Sequence, residues 1–508
     1  MKKSFLILAL LALVVPGCND ATSDSTPPLP PPTIVDPNGE QASGALADGD
    51  IVKILHVNDT HGAIEYLEGE EPGMARIAGY VEAKRAEADT DVVLVSSGDM
   101  FQGSLDSNIS KGHLMIDIMK EMRFDSMSIG NHEFDWGVQT LEQNAAYAMD
   151  GEGEKWAFPF LSGNILDPEG QYDLGYLSTT FNRGGARISI IGSIDAGVYG
   201  SIDAALVDGY QFASATTMVA NEAMRLREQG SDIIIYSTHD ADRQVPSAIA
   251  NYVDAVFTGH SHYYSVEAMT TSDERTVPVI ESSSNGRMIG EVDFIYDTDT
   301  DRFSLASYGN TNPLDVEPLT PDEGVQAIYD SYLDAPCQDG IVVADSLRAL
   351  KYGKIGEINS ASRFVVSDRI SEANVRTMFT IAQLNAYQES DGAIASAYNE
   401  SRSGWDAGDI TYSDVYRAFP FDNATIIVEL TGAQLKRWST YTYYAAGYSK
   451  LTLDNATMYK VVTSTYVINN QEMYNYTSIV KTDAGIFQRH VLYQAFVDAG
   501  GAPNPFDD

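Results

Sequence analysis

The chemistry in this sequence gathers in the stretch Gly130-Asn131-His132-Glu133-Phe134-Asp135-Trp136-Gly137. Asn131 offers an amide oxygen suited to a metal. His132 can hold or deliver a proton near neutral pH. Asp135 can orient that imidazole and keep it charged. An isolated Asn-His pair is more often a solvated turn, but here the pattern recurs. Asp59-Thr60-His61, Gly98-Asp99, His239 and Gly259-His260-Ser261-His262 each follow an apolar run. Six of the eight histidines lie in or just before these clusters, five of them at candidate site positions. Oxygen and nitrogen donors without a thiolate suit divalent Zn, Mn, Mg, Fe or Co. Acceptors at several strand ends point to two divalent ions, a standard device for phosphoester hydrolysis at about 3.5–4 Å separation. Asp99 stands alone between two ligand groups and is the natural bridge.

The elements that must position these residues are short apolar runs, around residues 51–57, 92–95, 125–129, 233–236 and 253–257, which read as buried strands. Each would deliver its polar cluster to the strand's C-terminal edge, where open α/β sheets hold ligands. Gly130 is expected to supply a sharp turn there. Helices are expected over residues 75–88, 113–122 and 216–229, and edge-proximal strands over 277–281 and 289–296. The alternation predicts an α/β core with layered helices. That unit ends near residues 313–321, and residues 322–333 read as a linking helix. Beyond Asp345 the pattern changes: a helix over 375–387, strands over 424–430 and 459–468, and no ligand cluster. This predicts a second domain with a different task. His56, inside the first strand, reads as a packed, hydrogen-bonded core histidine. His113 and His490 read as structural or surface residues.

At 508 residues the chain is too long for one core. Lys+Arg 32 against Asp+Glu 72 gives a formal charge of −40, which argues against binding a nucleic-acid polymer through its phosphates. It fits a saline setting or a well-solvated acidic surface; composition does not separate the two. Any phosphate site must be locally positive. Two cysteines imply no disulfide framework.

Lys2-Lys3 and the apolar residues 5–15 form a basic and then a hydrophobic segment, the latter too short to span a membrane. Val15-Pro16-Gly17-Cys18 resembles a bacterial lipobox, implying a signal peptide over 1–17 and a lipid on Cys18. An ordinary secretory signal is the other reading; both export the chain, to the periplasm or cell surface. Residues 18–48, rich in Pro, Ser, Thr, Gly and Asp, read as a tether outside the fold.

Asp59-x-His61, Gly98-Asp99, Gly130-Asn131-His132-Glu133, His239 and Gly259-His260-Ser261-His262 together resemble the calcineurin-like metallophosphoesterase motif set. The flanks, with Gly408-Asp409-Ile410-Thr411-Tyr412 and Phe419-Pro420-Phe421-Asp422-Asn423, resemble the secreted 5′-nucleotidase family, which includes UDP-sugar hydrolases and 2′,3′-cyclic phosphodiesterases. The resemblance implies a four-layer α/β/β/α sandwich over residues 49–320, a linker helix over 321–350 and a smaller α+β substrate-binding domain over 351–508. It implies that Asp59, His61, Asp99 and His262 hold one metal, and Asp99, Asn131, His239 and His260 the other. His132 and Asp135 become the catalytic dyad. Water ionised by the metals would attack phosphorus in line.

On the substrate side the resemblance implies that Arg402 meets the anionic end and Phe421 stacks on the base. The family's glycine-rich loop reads Ala397-Tyr398-Asn399-Glu400-Ser401-Arg402 here, without its glycines, and Asn399 is the substitute for the family asparagine. Tyr466 and Glu472 are expected to take the later aromatic and acidic roles. Arg369 or Arg376 would replace a missing arginine pair. The implied activity is 5′-nucleotide hydrolysis. The alternatives are another ester at the same centre, such as a cyclic nucleotide, a nucleotide sugar or a non-nucleotide phosphate; a thiosulfohydrolase; or a tethered binding lipoprotein with a silent site. Oligomeric state is not legible.

Overall fold

The computed structural model describes residues 32–38, 46–151, 156–172, 174–240, 245–316, 319–388, 390–396, 401–437, 441–445, 449–469 and 478–507. Two sheets face each other in the first domain. One has six strands, in the order Arg302–Thr311, Ile289–Asp297, Ile51–Val57, Thr90–Ser96, Ser126–Ser128 and Phe160–Leu161. The other has seven, in the order Thr33–Val35, Ser178–Arg183, Ala186–Ile194, Ile233–His239, Ala255–Thr258, Thr276–Ser282 and Tyr264–Thr270.

Strand residues point alternately to opposite faces, and here both faces are apolar. Val52 and Ile54 meet Ile233 and Ile235 between the sheets. Leu55 and Val57 turn outward onto helices Met74–Arg85 and His113–Glu121. Ile234 and Tyr236 turn outward onto helix Thr216–Glu228. Continuous apolar runs therefore become strands buried on both sides, and the result is the expected α/β/β/α sandwich. The strands Ile51–Val57, Thr90–Ser96 and Ser126–Ser128 are parallel neighbours, as are Ile233–His239 and Ala255–Thr258. Their C-terminal ends collect the polar clusters at one rim.

Helix Glu323–Leu333 follows, capped by the Asp322 carboxylate, which accepts from Val325 N at 2.9 Å. The second domain is built on a six-stranded sheet whose neighbouring strands Met458–Ser464 and Ala424–Thr431 pair antiparallel. Helices Glu372–Ala386, Tyr412–Ala418 and Gln488–Asp498 cover it through Val375, Phe379, Val415, Leu492 and Phe496. Arg489, 1% exposed at its side chain, ties helix Gln488–Asp498 to the short strand Cys337–Asp339. Its guanidinium donates to Asp339 at 2.6 Å twice, to Asp422 at 2.6 Å and to Phe421 O at 2.8 Å.

Four expectations change. The linker helix expected over 321–350 ends at Leu333; Cys337–Asp339 then pairs antiparallel with Val342–Ala344, and a separate helix runs over Leu347–Tyr352, because Pro336 and the Asp339-Gly340 turn interrupt the helical run. Residues 33–35, expected in a tether outside the fold, form a strand: Thr33–Val35 runs parallel to Ser178–Thr180. A β-branched triplet meets an open sheet edge there, and backbone pairing outweighs the polar composition around it. The expected strand over 459–468 stops at Ser464, and Tyr466 lies on the short helix Thr465–Asn469. Val467 and Ile468 are still buried, so an apolar run shorter than two helical turns gave no period to tell the two apart. Gly130 does not adopt a positive φ; Gly98 and Asp99 beside it do, at 92° and 54°. Gly130 is required by close approach instead, because a Cβ there would collide with Asp99 Oδ1.

Candidate metal centre

The rim brings together every first-domain candidate metal and dyad residue: Asp59, His61, Asp99, Asn131, His132, Asp135, His239, His260 and His262. Five of them, Asp59, His61, Asp99, His260 and His262, have φ between 48° and 77°. Side chains rarely adopt this left-handed region, at a cost on the order of 1–3 kcal/mol each, and such strain persists where surrounding structure enforces it. Here Asp59 N donates to Gly98 O, His61 N to Asp99 O and Gly62 N to Met100 O, each at 3.0 Å, lacing the two strand-end loops together.

Asp59, His61 and His262 form one group, with ligand atoms all within 4.8 Å of one another. His61 Nδ1 donates to Gln102 O at 3.0 Å, which leaves its Nε2 as a lone pair. That Nε2 lies 2.9 Å from His262 Nε2, and His262 Nε2 lies 3.3 Å from Asp59 Oδ1. Asp59 Oδ1 is buried with no hydrogen-bond partner. Asp99, His239 and His260 form a second such group. His239 Nδ1 donates to Ser97 O at 2.7 Å, so its Nε2 faces Asn131 Oδ1 and Asp99 Oδ2, both at 3.1 Å. Burial opposes a charge there, but Asp99 outweighs it and lifts the imidazole to about 10, so the position calls for a proton or a cation. His260 Nδ1 lies 2.7 Å from Asn131 Oδ1. Converging nitrogen and oxygen donors and an orphaned carboxylate oxygen are what a divalent cation satisfies, and two of the imidazoles, His61 and His239, are oriented from behind by backbone carbonyls, as metal-binding histidines are. The donors fit such ions. Asp99 also groups with His61 and His132, so it stands within reach of both halves.

His132 lies beside this cluster, with Nδ1 2.8 Å from Asp135 Oδ2. Burial opposes its charge, but Asp135 and then Asp99 outweigh burial and lift the imidazole to about 9. His61 moves the other way, to about 4, through burial and then the charge of His132.

Glu133 carries a task that the sequence did not disclose. Its carboxylate, 1% exposed, accepts from Asp99 N at 2.9 Å, Met100 N at 2.9 Å and Gly130 N at 2.7 Å. It fixes the loop that presents Asp99. The only signal was its place next to His132; Asp99 and Met100 lie on another strand end, and only Gly130 is local.

Two cavities open on the cluster, of about 450 Å³ and 690 Å³, a size suited to small molecules. His132, His262, Arg402 and Phe421 line both. The Phe421 ring stacks on His132 with centroids 5.7 Å apart, and the Arg402 guanidinium sits 4.9 Å from the same centroid. Gln102 and Asn108 both donate to Pro420 O, at 3.1 and 3.0 Å, seating this turn on the first domain. Tyr466 lines the larger cavity. Arg369 and Arg376 line neither; they face Asp406 and Glu372 at 3.5 and 3.4 Å. Asn399, Glu472 and Cys18 lie outside the described residues.

A sandwich whose two central sheets converge Asp, His and Asn on one rim, beside a histidine–aspartate pair, is that of a metallophosphoesterase. The calcineurin-like phosphoesterase family matches residues 52–264, and the 5′-nucleotidase C-terminal domain matches residues 354–444. An apyrase of Tabanus yao is 25% identical over 433 residues, covering 76% of this chain and 72% of its own. Protein UshA of Yersinia enterocolitica is 25% identical over 431 residues, covering 76% and 75%. The crystal structure of a 5′-nucleotidase precursor from Thermus thermophilus superposes with a TM-score of 0.69 at 19% identity, covering 89% of this chain and 97% of the other. The chain thus carries a calcineurin-like phosphoesterase domain followed by a 5′-nucleotidase C-terminal domain, and it is a metal-dependent phosphoric ester hydrolase.

Proposed function

We propose that the chain is an exported two-metal 5′-nucleotidase. The observation that carries this is the pair of adjacent ligand groups, Asp59/His61/His262 and Asp99/His239/His260, facing His132–Asp135 at a cleft lined by Phe421 and Arg402. In this reading Asp99 serves both metals and Asn131 completes the second group. Divalent ions there would supply Lewis acidity and a water ionised near neutral pH.

The protein's own residues do the rest. Asp135 holds His132 cationic, and His132 meets the charge that develops on the transferring phosphoryl group or the leaving oxygen. Arg402 supplies positive charge to an anionic substrate in a chain that is strongly negative overall. Phe421 and Tyr466 hold the base. The division at residues 49–320, 321–350 and 351–508 separates catalysis from substrate holding. Cys18 carries a lipid in this reading, and no helix among the described residues is long and apolar enough to cross a membrane.

The test is a substrate panel on chelated protein given back Mn, Zn, Mg or Co. Release of phosphate from AMP and other 5′-nucleotides supports the reading. Hydrolysis of an aryl phosphate alone assigns the centre to a different ester.

A further inference from the structure

His56 lies beneath the metal centre, between the two sheets, and is fully buried. Its ring stacks on Phe257 at 4.6 Å. Its Nδ1 lies 2.8 Å from Ser282 Oγ and its Nε2 2.9 Å from Ser97 Oγ. Burial pushes the imidazole down to about 3, so the ring is neutral and has one proton to give. Ser282 Oγ donates to Asn310 Oδ1 at 3.1 Å and therefore accepts from Nδ1–H. Nε2 then accepts from the Ser97 hydroxyl. One tautomer satisfies both sides.

Each serine supports one ligand group. The Ser97 carbonyl receives Nδ1–H of His239 at 2.7 Å, which turns His239 Nε2 toward Asp99 and Asn131. Ser282 N donates to Asn58 Oδ1 at 2.9 Å, and Asn58 Nδ2 donates to Asp59 Oδ2 at 2.6 Å. The Ser97 hydroxyl also meets Ser237 Oγ at 3.0 Å, on the facing sheet. We infer that His56 is a positioning residue of the metal centre, coupling the supports of its two ligand groups through one imidazole. The inference rests on the two-metal reading above.

The test uses the full chain loaded with Mn²⁺, with metal affinity and the exchange-coupled spin-resonance signal of a Mn pair as readouts. His56→Phe keeps an aromatic ring against Phe257 and removes both hydrogen bonds. It is expected to weaken Mn²⁺ binding about 10- to 100-fold, the range for lost outer-shell partners, and to abolish the coupled signal while circular dichroism stays native. Ser97→Ala and Ser282→Ala each keep the backbone partner and remove one hydroxyl, and they carry the test if His56→Phe does not fold. Each is expected to weaken binding of one ion more than the other. Wild-type affinity and an unchanged coupled signal in all folded variants would overturn the inference. A wild-type chain that takes up only one ion contradicts the two-metal reading and the coupling with it, and that result is read before any substitution is made.

Discussion

His132 Nδ1 and Asp135 Oδ2 lie 2.8 Å apart, and a ring nitrogen of the same histidine shares a group with Asp99 and His61. The imidazole's pKa is raised to about 9. A raised value means that the charged pair's contribution to stability is fully present below the ordinary histidine value and is lost as pH rises through about 9. Turnover that needs the imidazolium therefore falls on the basic side in that region. Asp135→Asn removes the largest raising influence, so this limb of the kcat–pH profile moves to lower pH. His132→Ala is expected to lower kcat by about 10²- to 10⁴-fold with metal content unchanged, as read by elemental analysis.

Asp99 falls in groups with both halves of the centre, whereas His262 falls in one. Asp99→Ala should strip the protein of nearly all bound metal after dialysis. His262→Ala should retain about one ion per chain. Equal losses from the two variants would argue against Asp99 as the shared ligand.

Phe421 lies against His132 and Arg402 at the junction of the two cavities. Stacking on an aromatic ring is worth about 1–3 kcal/mol per base. Phe421→Ala should therefore raise KM for 5′-nucleotides by about 5- to 150-fold, while KM for a simple alkyl phosphate moves little. Steady-state kinetics on both substrates separates base stacking from a general loss of the site.

Arg489 is buried with Asp339 and Asp422 as its partners. Removing one side of a buried ion pair costs about 3–5 kcal/mol because the other charge is left unpaired. Arg489→Ala should lower unfolding stability by that order in urea titration.

The residues that gather at the rim were legible in the sequence because short polar clusters follow long apolar runs, and a buried parallel strand leaves its chemistry only at its end. Asp59, Asp99, Asn131, His239, His260 and His262 follow that rule. Glu133 was not legible, because two of its three backbone partners, Asp99 and Met100, belong to another strand-end loop that only the sheet brings alongside. Gly130 was legible as a special position for the wrong reason: sequence shows a glycine, and only the fold shows Asp99 pressed against it. The short strand Thr33–Val35 hid in a proline-rich context, since an edge strand needs a vacant sheet edge that no local pattern reveals. Tyr466 was found but placed on the wrong element, because the chain leaves its sheet within one apolar run.

Phosphate release from AMP, followed while metal is titrated back into chelated protein, tests the two-metal nucleotidase reading most directly. The expected result is no release without metal and a rise that saturates near two ions per chain. Saturation at one ion, or no release from any 5′-nucleotide under Mn, Zn, Mg or Co, would contradict it.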